Sequence, residues 1–159
     1  MPELIRFEGI EGEGKTSGYE GWIDISSWSW GVSHPTSGVP GGGYSSDKAH
    51  FMDIMITKVT DKASATLLKN MTFGTHFPKV EIVSLKTTGE AIEKYLHIEM
   101  EKVLVTSVSQ NGGGSSTPME SVAMSYKTIK FKHQPQSETG VLEAEGLFGI
   151  DLETYTESV

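Results

Sequence analysis

The chain has 159 residues, 36% hydrophobic and 21% charged, which excludes a disordered tail or a coiled coil and predicts one globular domain over residues 1–159. Its net charge of −8, with Arg6 as the single arginine, argues against a nucleic-acid or membrane partner. The absence of cysteine excludes disulfides, thiol nucleophiles and cysteine-based metal sites.

Strands dominate the first third of the predicted structure. Leu4–Phe7 and Tyr19–Val32 are rich in β-branched and aromatic residues, and Ala49–Val59 has a similar apolar pattern. The segment 32–47 between them contains glycines, serines and two prolines, so we predict a long extended loop. Loops of this length are commonly functional.

One helix is predicted, over about residues 62–73. Asp61 is the expected N-cap, and Gly74 lies where a left-handed C-cap would fall. Pro78 prevents the helix from resuming. Further strands are predicted at Lys79–Thr87, Ile92–Ser109, Glu120–Gln134 and Val141–Asp151, with a flexible hairpin tip at 111–116.

The apolar pattern changes phase within the long strands. Met100 continues one alternation, whereas Val103 and Val105 begin another. Either a β-bulge turns a corner there, or both strand faces are covered, in which case a second copy of the chain is the expected cover. The pattern predicts a mainly β fold, a two-sheet barrel or sandwich with one flanking helix.

Residues 9–16 match the P-loop pattern G-x-x-x-x-G-K-[ST]. A P-loop must open a helix, but the residues that follow, 17–23, resemble a strand. Glu11 and Glu13 would also place carboxylates beside a phosphate. We therefore interpret the segment as an acidic loop, with a nucleotide-binding enzyme as a minor alternative.

The five histidines do not form a recognisable metal motif. His97 and Glu99 lie on one side of a strand, but a third ligand at motif spacing is missing, so we interpret the histidines as surface or satisfied strand residues. No G-x-S-x-G motif is present. We predict no cofactor, no metal and no enzymatic activity.

Three tryptophans lie close together in the sequence. Trp22, Trp28 and Trp30 are expected to pack in the core or at an interface, where buried aromatic side chains contribute most. The alternative is a carbohydrate-stacking platform, which would make the protein a β-sandwich carbohydrate-binding module.

Several segments in order resemble one known family. Trp28–Gly31, the glycine-rich loop after it, Lys58–Leu67, Val103–Ser109 and Tyr126–Gln136 are together similar to the Hcp (hemolysin-coregulated protein) family. These proteins are tube subunits of the bacterial type VI secretion system. The resemblance implies a compact β-barrel with one helix and no catalytic site.

The resemblance also implies function and location. Family members form hexameric rings that stack into a hollow tube, meet sheath, spike and baseplate proteins, and in some cases carry effectors in the lumen. The tube forms in the bacterial cytoplasm and is secreted, which agrees with the lack of a Sec-type signal after Met1. The loop would then be an arm that reaches a neighbouring subunit. We predict these contact residues: Trp30, Gly31, Val32, Pro35, Pro40, Tyr44, Val103 and Val105.

Overall fold

The computed structural model describes residues 1–35, 48–135 and 144–158, which form antiparallel strands and one helix. The predicted mainly β, two-sheet fold with a flanking helix is confirmed. The elements are β1 Glu3–Phe7, β2 Ile23–Asp24, β3 Ser27–Ser29, β4 Val32–Ser33, β5 His50–Phe51, β6 Ile54–Val59, α1 Ser64–Phe73, β7 Phe77–Thr88, β8 Ala91–Gly113, β9 Ser116–Ser125, β10 Thr128–His133, β11 Gly146–Asp151 and β12 Thr156–Glu157.

The first sheet has the order β12-β11-β10-β8-β7-β1-β2. Its inner face contributes Ile82 and Ile98 to the main core, because alternate residues of a strand point to the same side. Its outer face carries a smaller cluster, in which Tyr19 and Trp22 cover Leu4. Within the described residues the strand order does not close on itself, so the fold is a sandwich rather than a closed barrel.

The second sheet has the order β3-β6-β9-β8, and β8 joins the two sheets. Strand β8 pairs with β7 as far as Val103 and with β9 from Leu104 onward. Lys102 lies at this transition with φ of 52°, a left-handed conformation that is rare outside glycine. The apolar pattern of β8 therefore changes phase because the strand turns a corner, which is the first of the two predicted explanations.

The corner returns Val103 and Val105 to the main core, where they are 0% and 2% exposed. Their assignment as subunit contacts is corrected, because these side chains leave almost no surface for another copy to reach. The physical reason is the turn at Lys102, which brings the second apolar phase back to the inner side of the fold.

Helix α1 contacts β8 and packs Leu67 into the main core. The helix ends as predicted, because Gly74 adopts φ of 64° and its amide donates to Met71 and Asn70 carbonyls. The N-terminal prediction needs correction: the N-cap is Ala63, and the Asp61 carboxylate instead accepts the Ala63 amide at 3.0 Å. No helix among the described residues is long and apolar enough to cross a membrane.

Several predicted strands are divided in the structure. The segment predicted as one strand at Tyr19–Val32 contains β2, β3 and the first residue of β4. Glycines with positive φ form turns just before the segment, at Gly18, and within it, at Gly21. Likewise, 49–59 divides into β5 and β6, and 120–134 divides into β9 and β10, which belong to different sheets. Apolar patterning alone does not show where a chain leaves one sheet for another.

Candidate assembly surface

Trp30 anchors the point where the predicted arm leaves the second sheet. Its indole Nε1 donates to the Tyr126 hydroxyl at 2.6 Å, and that hydroxyl donates to the Met52 carbonyl at 2.8 Å. Burial raises the pKa of Tyr126 to about 12, so the phenol keeps the proton that it donates. Three separate segments of the chain are thus held together at one position.

An aromatic stack extends from Trp30 through three phenylalanine rings. The ring centroid of Trp30 lies 6.4 Å from those of Phe51 and Phe131, and Phe51 lies 6.4 Å from Phe148. Centroid separations of 4.5–7 Å are favourable for aromatic pairs. The stack joins strands β5, β10 and β11 to the base of the arm.

Gly31 and Val32 lie directly on this stack. Val32 pairs with Phe51 in the short β4–β5 ladder, and the Gly31 carbonyl accepts the Met52 amide at 3.0 Å. A Cβ at Gly31 would lie 3.2 Å from the Met52 sulfur, closer than most side-chain contacts. Glycine at this position therefore lets the two segments approach.

The outer part of this region is apolar and exposed. Val32, Met52 and Phe148 are 45%, 52% and 42% exposed, and Trp30 and Phe51 pack beneath them. We call these five residues the arm-base patch. A connected group of exposed apolar side chains is typical of a protein–protein contact.

Three other predicted contact residues belong to the long loop, and the structure describes only one of them. Pro35 is exposed at the last described position before the gap, whereas Pro40 and Tyr44 lie outside the described residues. Sequence reasoning missed Phe51, Met52 and Phe148, which complete the patch. Their apolar character is visible in the sequence, but their position beside Trp30 depends on strand pairing.

The P-loop-like segment forms no phosphate cradle. The amides of Gly12 and Gly14 donate to the carbonyls of Gly21 and Trp22, each at 2.7 Å. A turn follows the segment where a P-loop requires a helix. The interpretation as an acidic loop agrees with this geometry, although the loop is packed against the chain rather than free.

The three tryptophans serve different parts of the structure. Trp28 donates to the Glu3 carboxylate at 3.2 Å and packs on the main core with Trp30, whereas Trp22 packs edge-on against Tyr19 over the smaller cluster. Because they do not form one continuous platform, the geometry gives no support to the carbohydrate-binding alternative.

Comparison with known proteins gives the class of this sandwich. Residues 4–133 match the family described as "Type VI secretion system effector, Hcp". A solved structure of a type six secretion system protein superposes with a TM-score of 0.90 at 25% identity and covers 99% of both chains. The fold is therefore that of a type VI secretion system protein.

Sequence relatives agree with the structural comparison. The chain is 34% identical to protein hcp1 of Pseudomonas aeruginosa over 86% of this chain and 85% of that protein. It is 30% identical to the major exported protein of the same organism over 67% of this chain and 63% of that protein. The chain belongs to the Hcp family of type VI secretion, and the resemblance drawn from the sequence is confirmed.

Proposed function

We propose that this protein is the structural, non-enzymatic subunit of a type VI secretion tube. Its copies join side by side into hexameric rings, and the rings stack into a hollow tube. Side-by-side contacts use different surfaces of each copy, which is the arrangement that closes a ring. Membership of the Hcp family supports secretion by this system, since relatives include an exported protein.

The arm-base patch is the observation that carries this proposal. It holds exposed apolar side chains that a single chain leaves uncovered, at the root of the long loop. The hydrogen bonds of Trp30 and Tyr126 hold the patch in place, which lowers the entropy that a contact would cost. We propose that the patch, together with the loop containing Pro35, Pro40 and Tyr44, contacts the neighbouring subunit.

The test is a charge placed in the patch. Val32→Lys should leave the fold intact, because the side chain is largely exposed, and should convert rings to monomers, because a buried unpaired charge is costly. The control is Phe73→Lys on α1, where an apolar side chain is 75% exposed outside the patch. Native mass spectrometry and sedimentation velocity give the assembly state.

We expect rings from the parent chain and from Phe73→Lys, and monomers from Val32→Lys with unchanged circular dichroism. Rings of unchanged stability in Val32→Lys would contradict the contact. A parent chain that stays at 17.3 kDa at all concentrations would contradict ring assembly itself.

We further propose that cargo effectors travel in the lumen and that sheath, spike and baseplate proteins meet the tube elsewhere. Support for a passive wall comes from two cross-strand rows on the outer face of the second sheet, which carry no charged side chain in a chain of net charge −8. Cryo-electron microscopy of tubes tests whether this face lines the channel. The first row is Ser27, Thr57, Ser121 and Ser109, and the second is Ser29, Met55, Ala123 and Ser107.

A further inference from the structure

Three metal-ligating side chains meet on the outer face of the first sheet. Glu81 on β7 lies directly opposite Glu99 on β8, and His97 lies two residues from Glu99 on the same side of that strand. The ligand atoms of all three lie within 4.8 Å of one another. The third ligand that was missing from the sequence pattern is therefore supplied by the neighbouring strand.

Within this cluster, His97 has a ring nitrogen that lacks a hydrogen-bond partner among the described residues. Its Nε2 is buried and has no hydrogen-bond partner in the described part of the chain. Buried polar atoms are almost always paired, so an orphaned ring nitrogen calls for an explanation. Burial, and then the positive charge of Lys94, lower the pKa of His97. An unpaired ring nitrogen is also the atom through which a histidine ligates a metal ion.

The two glutamates form an unfavourable pair without a cation. Like charges directly opposite each other on paired strands repel. Lys79 now supplies the cation, with Nζ at 2.8 Å from Glu81 and 3.8 Å from Glu99. The Lys79 side chain is partly exposed, so it can swing into solvent when another cation arrives.

Further charges surround the cluster. Arg6 on β1 lies opposite Glu81, and Lys130 and Lys132 on β10 lie opposite Glu99 and His97. These cations reduce the affinity of the cluster for any metal. Burial raises the pKa of Glu81, but the hydrogen bond from Lys79 and the charges of Lys79, His97 and Arg6 together outweigh it and leave that pKa below its ordinary value.

We propose that Glu81, His97 and Glu99 bind one divalent transition-metal ion, with Zn²⁺ the best match. One imidazole and two carboxylates are a donor set that Zn²⁺ accepts, and water would complete the coordination. Ligand atoms around tetrahedral Zn²⁺ lie about 3.3 Å apart, so the side chains need to draw together by up to about 1.5 Å. The ion would replace Lys79 and link β7 to β8.

The test is Zn²⁺ binding to the chelator-treated protein, measured by isothermal titration calorimetry with zinc chloride. We expect one ion per chain and a rise in Tm, because an ion that binds only the folded state stabilises it. His97→Leu should weaken binding roughly 10- to 100-fold or more and abolish the Tm shift. Lys79→Gln should tighten binding, because it removes the competing cation. These readouts do not depend on ring assembly.

Two further variants make the result decisive. His76→Leu removes an exposed histidine outside the cluster and should leave binding unchanged. Glu99→Gln keeps the shape of a ligand and removes its charge, so it tests the site even if His97→Leu fails to fold. Absence of saturable binding, an unchanged affinity in Glu99→Gln or His97→Leu, or loss of binding in His76→Leu would each overturn the proposal.

Discussion

Lys58 and Glu120 illustrate how single residues hold this sandwich together. Both side chains are buried, and they face each other across the β6–β9 pair. Lys58 Nζ also contacts Asp61 at 2.8 Å and Ser64 at 3.2 Å, so the pair joins the second sheet to the start of α1. Gln110 donates to Glu120 at 2.9 Å and completes the network.

The network gives stability a defined dependence on pH. Burial opposes ionisation of Glu120, but hydrogen bonds from Gln110, Lys58 and Ser64 outweigh it and lower the pKa of the carboxyl. A carboxyl whose pKa is lower in the folded state stabilises that state above its unfolded pKa. This stabilisation is lost as the pH falls through the folded pKa.

Glu120→Gln should lower the free energy of unfolding by roughly 3 kcal/mol at pH 7, because it leaves Lys58 buried with only part of its compensation. The double variant Lys58→Met with Glu120→Leu should recover most of that loss, since buried ion pairs are often replaceable by apolar side chains. Urea unfolding followed by tryptophan fluorescence gives both values. A loss within about 0.5 kcal/mol in Glu120→Gln would show that the pair is dispensable.

At the scale of elements, the acidic loop of residues 9–16 is packed against residues 21 and 22. Gly12 and Gly14 are buried, and their amides donate to Gly21 and Trp22. A Cβ at Gly14 would lie 2.5 Å from the Trp22 carbonyl oxygen. The glycines that imitate a P-loop are therefore required by close backbone approach.

Gly14→Ala should lower the free energy of unfolding by about 1–3 kcal/mol, because the added methyl group collides with backbone that is hydrogen-bonded in place. The matched control is Gly112→Ala near the β8–β9 hairpin, where a Cβ would meet nothing within 4 Å. Thermal unfolding of both variants provides the comparison. Equal stability of Gly14→Ala and the parent chain would mean that the loop is not held against Trp22.

For the whole molecule, charge and apolar surface have opposite effects on assembly. In the proposed assembly, the exposed apolar side chains of the arm-base patch favour association, whereas the net charge of −8 on every copy opposes it. Contacts within the proposed ring would gain from the apolar patch directly. Contacts between proposed stacked rings bring many like charges together, so stacking is the step that ionic strength should control.

Stacks should lengthen when salt is raised from about 0.02 M to about 0.2 M NaCl, because the Debye length falls below about 10 Å above ~0.1 M. Negative-stain microscopy and sedimentation velocity give the stack length. Near the sequence pI of about 5.1 the net charge vanishes, and the salt effect should vanish with it. Stacks that shorten as salt is added would show instead that opposite charges hold rings together.

The local features of this protein follow from its amino-acid sequence. Period-two apolar patterns gave the mainly β class, and Gly74 was recognisable as a helix end because a left-handed cap favours glycine. The resemblance to the Hcp family came from segments that occur in a fixed order, among them Trp28–Gly31, the glycine-rich loop after it and Val103–Ser109. These properties depend on residues close together in the chain.

Contacts between residues far apart in the chain depend on the three-dimensional fold. The corner at Lys102 turned Val103 and Val105 into core residues, and strand register brought Glu81 beside His97 and Glu99. The arm-base patch likewise needs β5 and β11 to meet Trp30. Cross-strand neighbours are set by register and sheet exchange, which no local pattern encodes because residues far apart in sequence determine them together.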